Sequence, residues 1–303
     1  MSTMRVTQGL MVTQALKNLN YQTRRLLKLQ EQLATGLRVN TPSDDPLAAR
    51  RAIDLREIMS REDQYLTNIS NAGLQLQETV TTVQSVVEGL QRAQEIALQG
   101  ANGTMDQSQR DQLAIEVNQL LETVLIQANH QTNGRYIFGG TRTLSAPFMP
   151  ARNAAGEITA VTYAGNSEQV SVAVGDGVSV VVNEPGQMVF QSSQDVMQLL
   201  IDIRDDLRSS DIAGLQQRLV ELDTAQDQAL VAVARIGATQ NRLERLTADT
   251  EDHLQQLKIA LSECVEADYA ETMINFNAQT NAFQAALNAS ARVIQQSLLD
   301  YVR

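Results

Sequence analysis

Tryptophan is absent, histidine occurs twice, and the one cysteine is Cys264. A single thiol excludes any intramolecular disulfide, so the fold has to hold without staples. His130 and His253 have no cysteine or second histidine at ligand spacing, which leaves no zinc motif. Aromatic residues are only 4% of the chain, a share that suits extended helical packing better than one compact core. Basic residues are the minority: 24 Lys and Arg stand against 35 Asp and Glu, for a net charge of -11. Binding to phosphate backbones needs clustered cations, so nucleic acid is excluded as a partner class. No apolar run approaches the roughly 18 residues of a membrane span, so no membrane partner is expected. Met1 to Val12 has neither the basic nor the apolar segment of a secretory leader. Any export is therefore expected to proceed without a cleaved signal peptide.

Proline is also scarce, and where it falls divides the chain. Pro42, Pro46, Pro147, Pro150 and Pro185 leave two long proline-free stretches, Leu47 to Ala146 and Gly186 to Arg303, both free to be helical. In the first, thirteen positions from Leu55 through Met59, Leu66, Ile69, Leu76, Val83 and Leu90 to Ala97 recur at 4,3 spacing, and ten of them are apolar. That pattern predicts a coiled-coil-like helix with Asp45 as N-cap and Pro46 at its first turn, spanning about 80 Å as far as Ala101. Asp106 or Ser108 can cap a return helix through Leu113 to Val124. Helical spacing resumes from Asp195 to Leu207, pauses at Ser209 to Asp211, and continues through Leu215, Leu222, Leu243 and Leu257. Asp268 with Glu271 resembles a capping box that opens a final helix.

Between these stretches the period changes. Half of the sixteen glycines lie from Gly134 to Gly186, together with an aromatic group of Tyr136, Phe138, Phe148, Tyr163 and Phe190. Val170, Val172 and Val174 alternate, then Val178, Val180 and Val182, joined at Gly175-Asp-Gly177, which predicts a β-hairpin. Ile158 to Tyr163 is a further strand. The fold class expected is mainly α: a long antiparallel helical bundle or coiled coil built from both ends of the chain, with a small β-rich inserted domain. Residues 1–42 with 265–303 form a terminal helix pair, 43–134 with 192–264 a long bundle, and 135–191 the insertion.

The two ends are short of charge. From Asn275 to Leu299 the one charged residue is Arg292, and from Val6 to Thr23 it is Lys17. A solvated helix carries more, whereas interface cores are depleted in charge. The candidate stripes are diluted as well: Val12, Leu16, Leu19, Thr23, Leu26, Gln30 and Leu33 at one end, Met273, Phe276, Thr280, Phe283, Leu287, Ser290 and Ile294 at the other. Two such helices make a weak pair alone. The ends are therefore expected to stay largely unfolded in a free monomer and to order against neighbouring copies. Val12, Leu16, Leu19, Leu26, Leu33, Met273, Phe276, Phe283, Leu287 and Ile294 are the candidate assembly residues, with Gly36, Asp45, Pro46 and Asp268 as caps and turns.

Chemistry finds no comparable signal. Adjacent Asp44 and Asp45 before a proline-started helix complement the helix dipole and cap it; they are not a catalytic pair. Gly139-Gly140 and Gly175-Asp-Gly177 lead into no helix bearing the Lys and Ser or Thr of a phosphate loop, so they are turns. Asn68-Ile-Ser70 and Asn288-Ala-Ser290 fit a glycosylation pattern but fall in helical stretches. No enzymatic activity, cofactor or metal is expected.

The run Leu33-Ala-Thr-Gly-Leu-Arg-Val-Asn-Thr-Pro-Ser-Asp-Asp-Pro-Leu-Ala-Ala49 resembles the N-terminal signature of the flagellin family, and Asp268-Tyr-Ala-Glu through Ser297-Leu-Leu-Asp-Tyr-Val302 resembles its C-terminal one. Ser43-Asp-Asp-Pro46, Phe138-Gly-Gly140 followed by Pro147-Phe148, and Asn183 to Phe190 are more similar to the hook-associated members than to filament flagellins. The resemblance implies a secreted structural protein of the bacterial flagellum, exported through the type III channel for motility. Terminal helices would pair at the inside of a tube, and the β-domain would face outward. Implied partners are copies of the chain itself, another hook-associated protein on the hook side, and flagellin or a further junction protein on the filament side. A cytoplasmic export chaperone at the C-terminal helix is implied too. A filament flagellin and, from another class, a secreted adhesin are the alternatives.

Overall fold

The computed structural model describes residues 8–301, with the side chains of Gln8, Gly9, Met11 and 293–301 outside the description. The described elements run α1 (Gln8–Thr35), α2 (Pro46–Gly100), α3 (Gln107–Ala128), β1 (Gln131–Thr132), β2 (Arg135–Tyr136), β3 (Phe148–Arg152), β4 (Ile158–Tyr163), β5 (Ser171–Gly175), β6 (Val178–Val181), α4 (Gly186–Phe190), α5 (Val196–Ser209), α6 (Ile212–Val265) and α7 (Tyr269–Tyr301). Helix dominates, and the strands form three separate antiparallel hairpins, β1–β2, β3–β4 and β5–β6. The chain divides into two compact units, one of residues 1–61 and 253–303, the other of residues 62–252. α2 and α6 each contribute residues to both.

Caps set the helix starts. Asp106 accepts the Gln109 N–H while Gln109 returns a bond to the Asp106 N–H, a complete capping box on α3. Asp195 accepts from Met197 and Gln198 at the start of α5. Ser210 turns left-handed at the break between α5 and α6, at φ 55. Arg110, almost fully buried, donates to the carbonyls of Gly100 and Asn102, so the open end of α2 is closed by a side chain from α3.

In the unit of 62–252 the core runs along α2 from Val83 to Ala97. It joins Ala114 to Ala128 of α3, Val196 to Leu207 of α5 and Leu215 to Ala232 of α6. The insertion is continuous with it. Phe138, Phe148 and Phe190 are fully buried, with Phe190 5.1 Å from each of the other two rings in edge arrangements. Tyr163 packs tilted against Phe148, with ring centroids 5.0 Å apart, and donates its hydroxyl to the Phe138 carbonyl. Gly186 starts α4 against this cluster: a Cβ there would meet the Phe148 ring at 2.7 Å. The β5–β6 hairpin packs Val174, Val180 and Val182 on Ile69, Leu76, Val80, Ile236 and Leu243. The hairpin read from the valines and the strand at Ile158 are both present. β3, in which Pro150 pairs with Val161, and the short α4 were not anticipated.

Candidate assembly surface

In the unit of 1–61 and 253–303, α1 and α7 pack antiparallel. At one end Leu37 forms an antiparallel bridge with Glu266, and farther along Gln22 meets Gln279. The covered residues of α1 are Val12, Ala15, Leu19, Gln22, Leu26, Leu29 and Leu33 at 3,4 spacing, with Thr23 and Gln32 partly covered beside them. Those of α7 are Thr272, Phe276, Gln279, Phe283, Ala286 and Ser290 at 4,3 spacing, with Thr280 partly covered beside them. Most of the stripes read from the sequence is covered: Val12, Leu19, Thr23, Leu26, Leu33, Phe276, Thr280, Phe283 and Ser290. Leu16 (49% exposed), Met273 and Leu287 point away from the seam. The Ile294 side chain is outside the described residues.

The positions missed from the sequence are Ala15, Gln22, Leu29, Thr272, Gln279 and Ala286. Three are polar and two are alanine, so hydrophobicity alone could not separate them from the outer face. Their signal is spacing: each falls on a heptad frame with Leu19, Leu26, Phe276 and Phe283. Thr272 and Gln279 are only 7% and 8% exposed. The Gln279 amide donates to the side-chain oxygen and the backbone carbonyl of Gln22. Conversely Leu10, Leu27 and Ile274 stand in solvent with Leu16, Met273 and Leu287, Ile274 at 69%. This unit therefore admits polar groups among the leucines and phenylalanines of its seam and leaves other apolar groups outside. Arg25 lies over the Tyr21 ring at 5.9 Å on the same exposed side.

The turns at the ends of this pair are tied by backbone. Gly36, at φ 71, closes α1 in the left-handed conformation and donates its N–H to the Gln32 carbonyl. Its own carbonyl accepts from Ala267, while the N–H groups of Arg38 and Val39 reach the Val265 carbonyl. Arg38 donates to the Cys264 carbonyl at 2.7 Å and pairs with Asp45 at 3.3 Å. Asp45 caps α2 by accepting from Leu47 and Ala48 ahead of Pro46, and Asp268 caps α7 by accepting from Ala270 and Glu271. Lys28 bonds Asp44 at 2.8 Å, which with the Thr41 N–H holds that carboxyl far below the usual carboxylate range. The Ala48 N–H, then Arg38, lower Asp45 as well. These two acids are caps and clamps. Cys264 is half-buried and donates its thiol to the Ala48 carbonyl at 3.3 Å.

Among the described residues no group of three His, Cys, Asp or Glu gathers as metal ligands would, and no helix is long and apolar enough to cross a membrane. His130 lies 3.7 Å from the Glu78 carboxylate. The geometry is one of helix contact and uncovered surface.

Comparison with known proteins agrees with both ends. Residues 6–143 match the bacterial flagellin N-terminal helical region, and residues 215–302 match the bacterial flagellin C-terminal helical region. The chain belongs to the bacterial flagellin family. As in that family's description, its matched regions are the helical ends that pair here. Flagellar hook-associated protein 3 of Escherichia coli (strain K12) is 26% identical over 94% of this chain and 96% of its own length. Flagellin FlaB1 of Treponema pallidum is 25% identical over 90% of this chain and 91% of its own. The crystal structure of the flagellar junction protein FlgL from Legionella pneumophila superposes with a TM-score of 0.59 at 18% identity, over 71% of this chain and 99% of that one. The last likeness extends the shared fold. The family is one of structural proteins, and the chain is not an enzyme.

Proposed function

We propose that this flagellin-family chain is a structural subunit of the bacterial flagellum that forms the junction between hook and filament, polymerising helically through α1 and α7. The observation that carries this reading is the mixed sorting of the terminal pair: Gln22, Thr272 and Gln279 sit inside with the seam's leucines and phenylalanines, while Leu16, Leu27, Met273, Ile274 and Leu287 stand outside. Exposed apolar side chains on helices so poor in charge fit a surface that partners cover. Likeness to a hook-associated protein along nearly its full length supports the junction over other places in the flagellum.

In this reading 1–42 with 265–303 is the assembly core, 43–134 with 192–264 a spacer, and 135–191 a surface insertion. Val12, Leu19, Leu26, Leu33, Phe276 and Phe283 hold the pair together, while Leu16, Met273 and Leu287 meet neighbouring copies. The partners are further copies, a hook-associated protein on one side and flagellin or another junction protein on the other. The chain is exported unfolded by the flagellar type III route, with a chaperone on α7 beforehand. Immunolabelling of intact flagella is the test. A single band at the hook end is the expected result; label along the whole filament would identify a filament flagellin, and none on the organelle would end the proposal.

A further inference from the structure

The seam between α1 and α7 contains one fully polar layer. Gln22 and Gln279 lie on the facing stripes, between Leu19 and Leu26 on one helix and between Phe276 and Phe283 on the other. Gln279 is 8% exposed, and its amide spends its donors on the Gln22 side chain and carbonyl. A buried amide satisfied by one partner is lost if either helix shifts, because a shift sets it against an apolar side chain. The apolar layers are far less discriminating: leucine and phenylalanine pack acceptably against either in several offsets. Alanine at 15 and 286 and serine at 290 add little preference of their own.

We infer that Gln22 and Gln279 are the register-determining residues of the terminal pair, a polar layer that trades stability for one permitted alignment of α1 on α7. This rests on the assembly reading above and deepens it. A helical tube tolerates no variation in which outward residues each copy presents, and a slip of one turn would move Leu16, Met273 and Leu287 to new positions. A leucine layer would hold the helices more tightly and specify less. The low stability of the pair is then a by-product of its alignment.

The full chain carrying Cys264→Ser, Ala15→Cys and Ala286→Cys reports register by disulfide cross-linking, because both new thiols lie one heptad beyond the glutamines. With the glutamines in place, oxidation of purified monomer is expected to trap the transiently formed pair, so that cross-linked chain accumulates. Adding Gln22→Leu with Gln279→Leu should slow amide exchange across 272–290 by roughly tenfold while the cross-link yield drops. Adding Gln22→Glu with Gln279→Lys instead should retain the cross-link, since a charged layer also fixes alignment. Full cross-linking in the leucine pair, unchanged exchange in it, or loss of cross-linking in the charged pair would each overturn the inference. Should the leucine chain fail to fold, the charged pair decides alone. These readouts are taken on monomer, so they stand or fall independently of where the label sits on flagella.

Discussion

Gly36 shows how much one residue contributes to the joint between α1 and α2. At φ 71 an L side chain is strained whatever space surrounds it, and nothing lies within 4 Å of where a Cβ would go, so the strain is purely of backbone. Gly36→Ala should destabilise the unit by about 1–2 kcal/mol, read as a lowered urea midpoint. An unchanged midpoint would mean that the turn relaxes. Charge supplies a second residue-scale case. Arg208 donates to both oxygens of Glu157, at 2.5 and 3.1 Å, and with Asn153 it lowers that carboxyl from 4.5 to about 2. Because the folded value is depressed, the stabilisation is complete above 4.5 and disappears as pH falls from there through about 2. Arg208→Ala should therefore flatten the loss of melting temperature across that acid window and lower the melting temperature above it. Parallel slopes in thermal melts of the two proteins would contradict this.

Elements differ in how openly their sequences declare them. All thirteen positions of the α2 stripe, from Leu55 to Ala97, are covered or partly covered, because hydrophobicity sorts inside from outside along that helix. The caps at Asp45 and Asp268 were legible from local residue type, Asp106 was one of two candidates with Ser108, and the cap at Asp195 came from the structure. In α1 and α7 the sorting fails: Gln22 and Thr272 are in, Leu16 and Ile274 are out, so the pair was legible as a pair but only half of its seam. β3 was hidden by Pro150, a residue that ordinarily argues against a strand. α4 is too short to show a period. The same polar seam has an energetic outcome. Each layer without a large apolar pair forgoes roughly 1.5–3 kcal/mol of burial per missing side chain. Hydrogen exchange on dilute monomer should find 272–290 and 12–33 poorly protected while α3 and α5 are strongly protected. Equal protection in all four helices would show that the terminal pair is stable unaided.

At the scale of the whole molecule the charges are unevenly placed. Residues 62–252 hold 25 of the 35 Asp and Glu but 11 of the 24 Lys and Arg, leaving the terminal unit slightly basic. Copies arranged side by side would set acidic units against one another, a repulsion screened over about 10 Å at 0.1 M salt and about 3 Å at 1 M. Self-association of purified chain, followed by light scattering, should accelerate as salt rises between those concentrations. Slower association at high salt would indicate that attraction between the slightly basic terminal unit and the acidic unit of another copy dominates instead. The overall class of this molecule, helical ends flanking a β insertion, was legible from proline and glycine placement alone. The way the aromatic part of the insertion shares a core with α3 and α5 was not, since Phe138, Phe148 and Phe190 come from separate segments and meet only in three dimensions.

The lacing of the two turns, where Gly36, Arg38 and Val39 bond Val265 and Ala267, bears on mechanical load. Two helices linked by two independent loops would swivel, each loop acting as a loose thread. Stitched strand to strand, the crossings resist twisting as one stiff coupling, and a rotating shaft needs its subunits to pass torque without winding up.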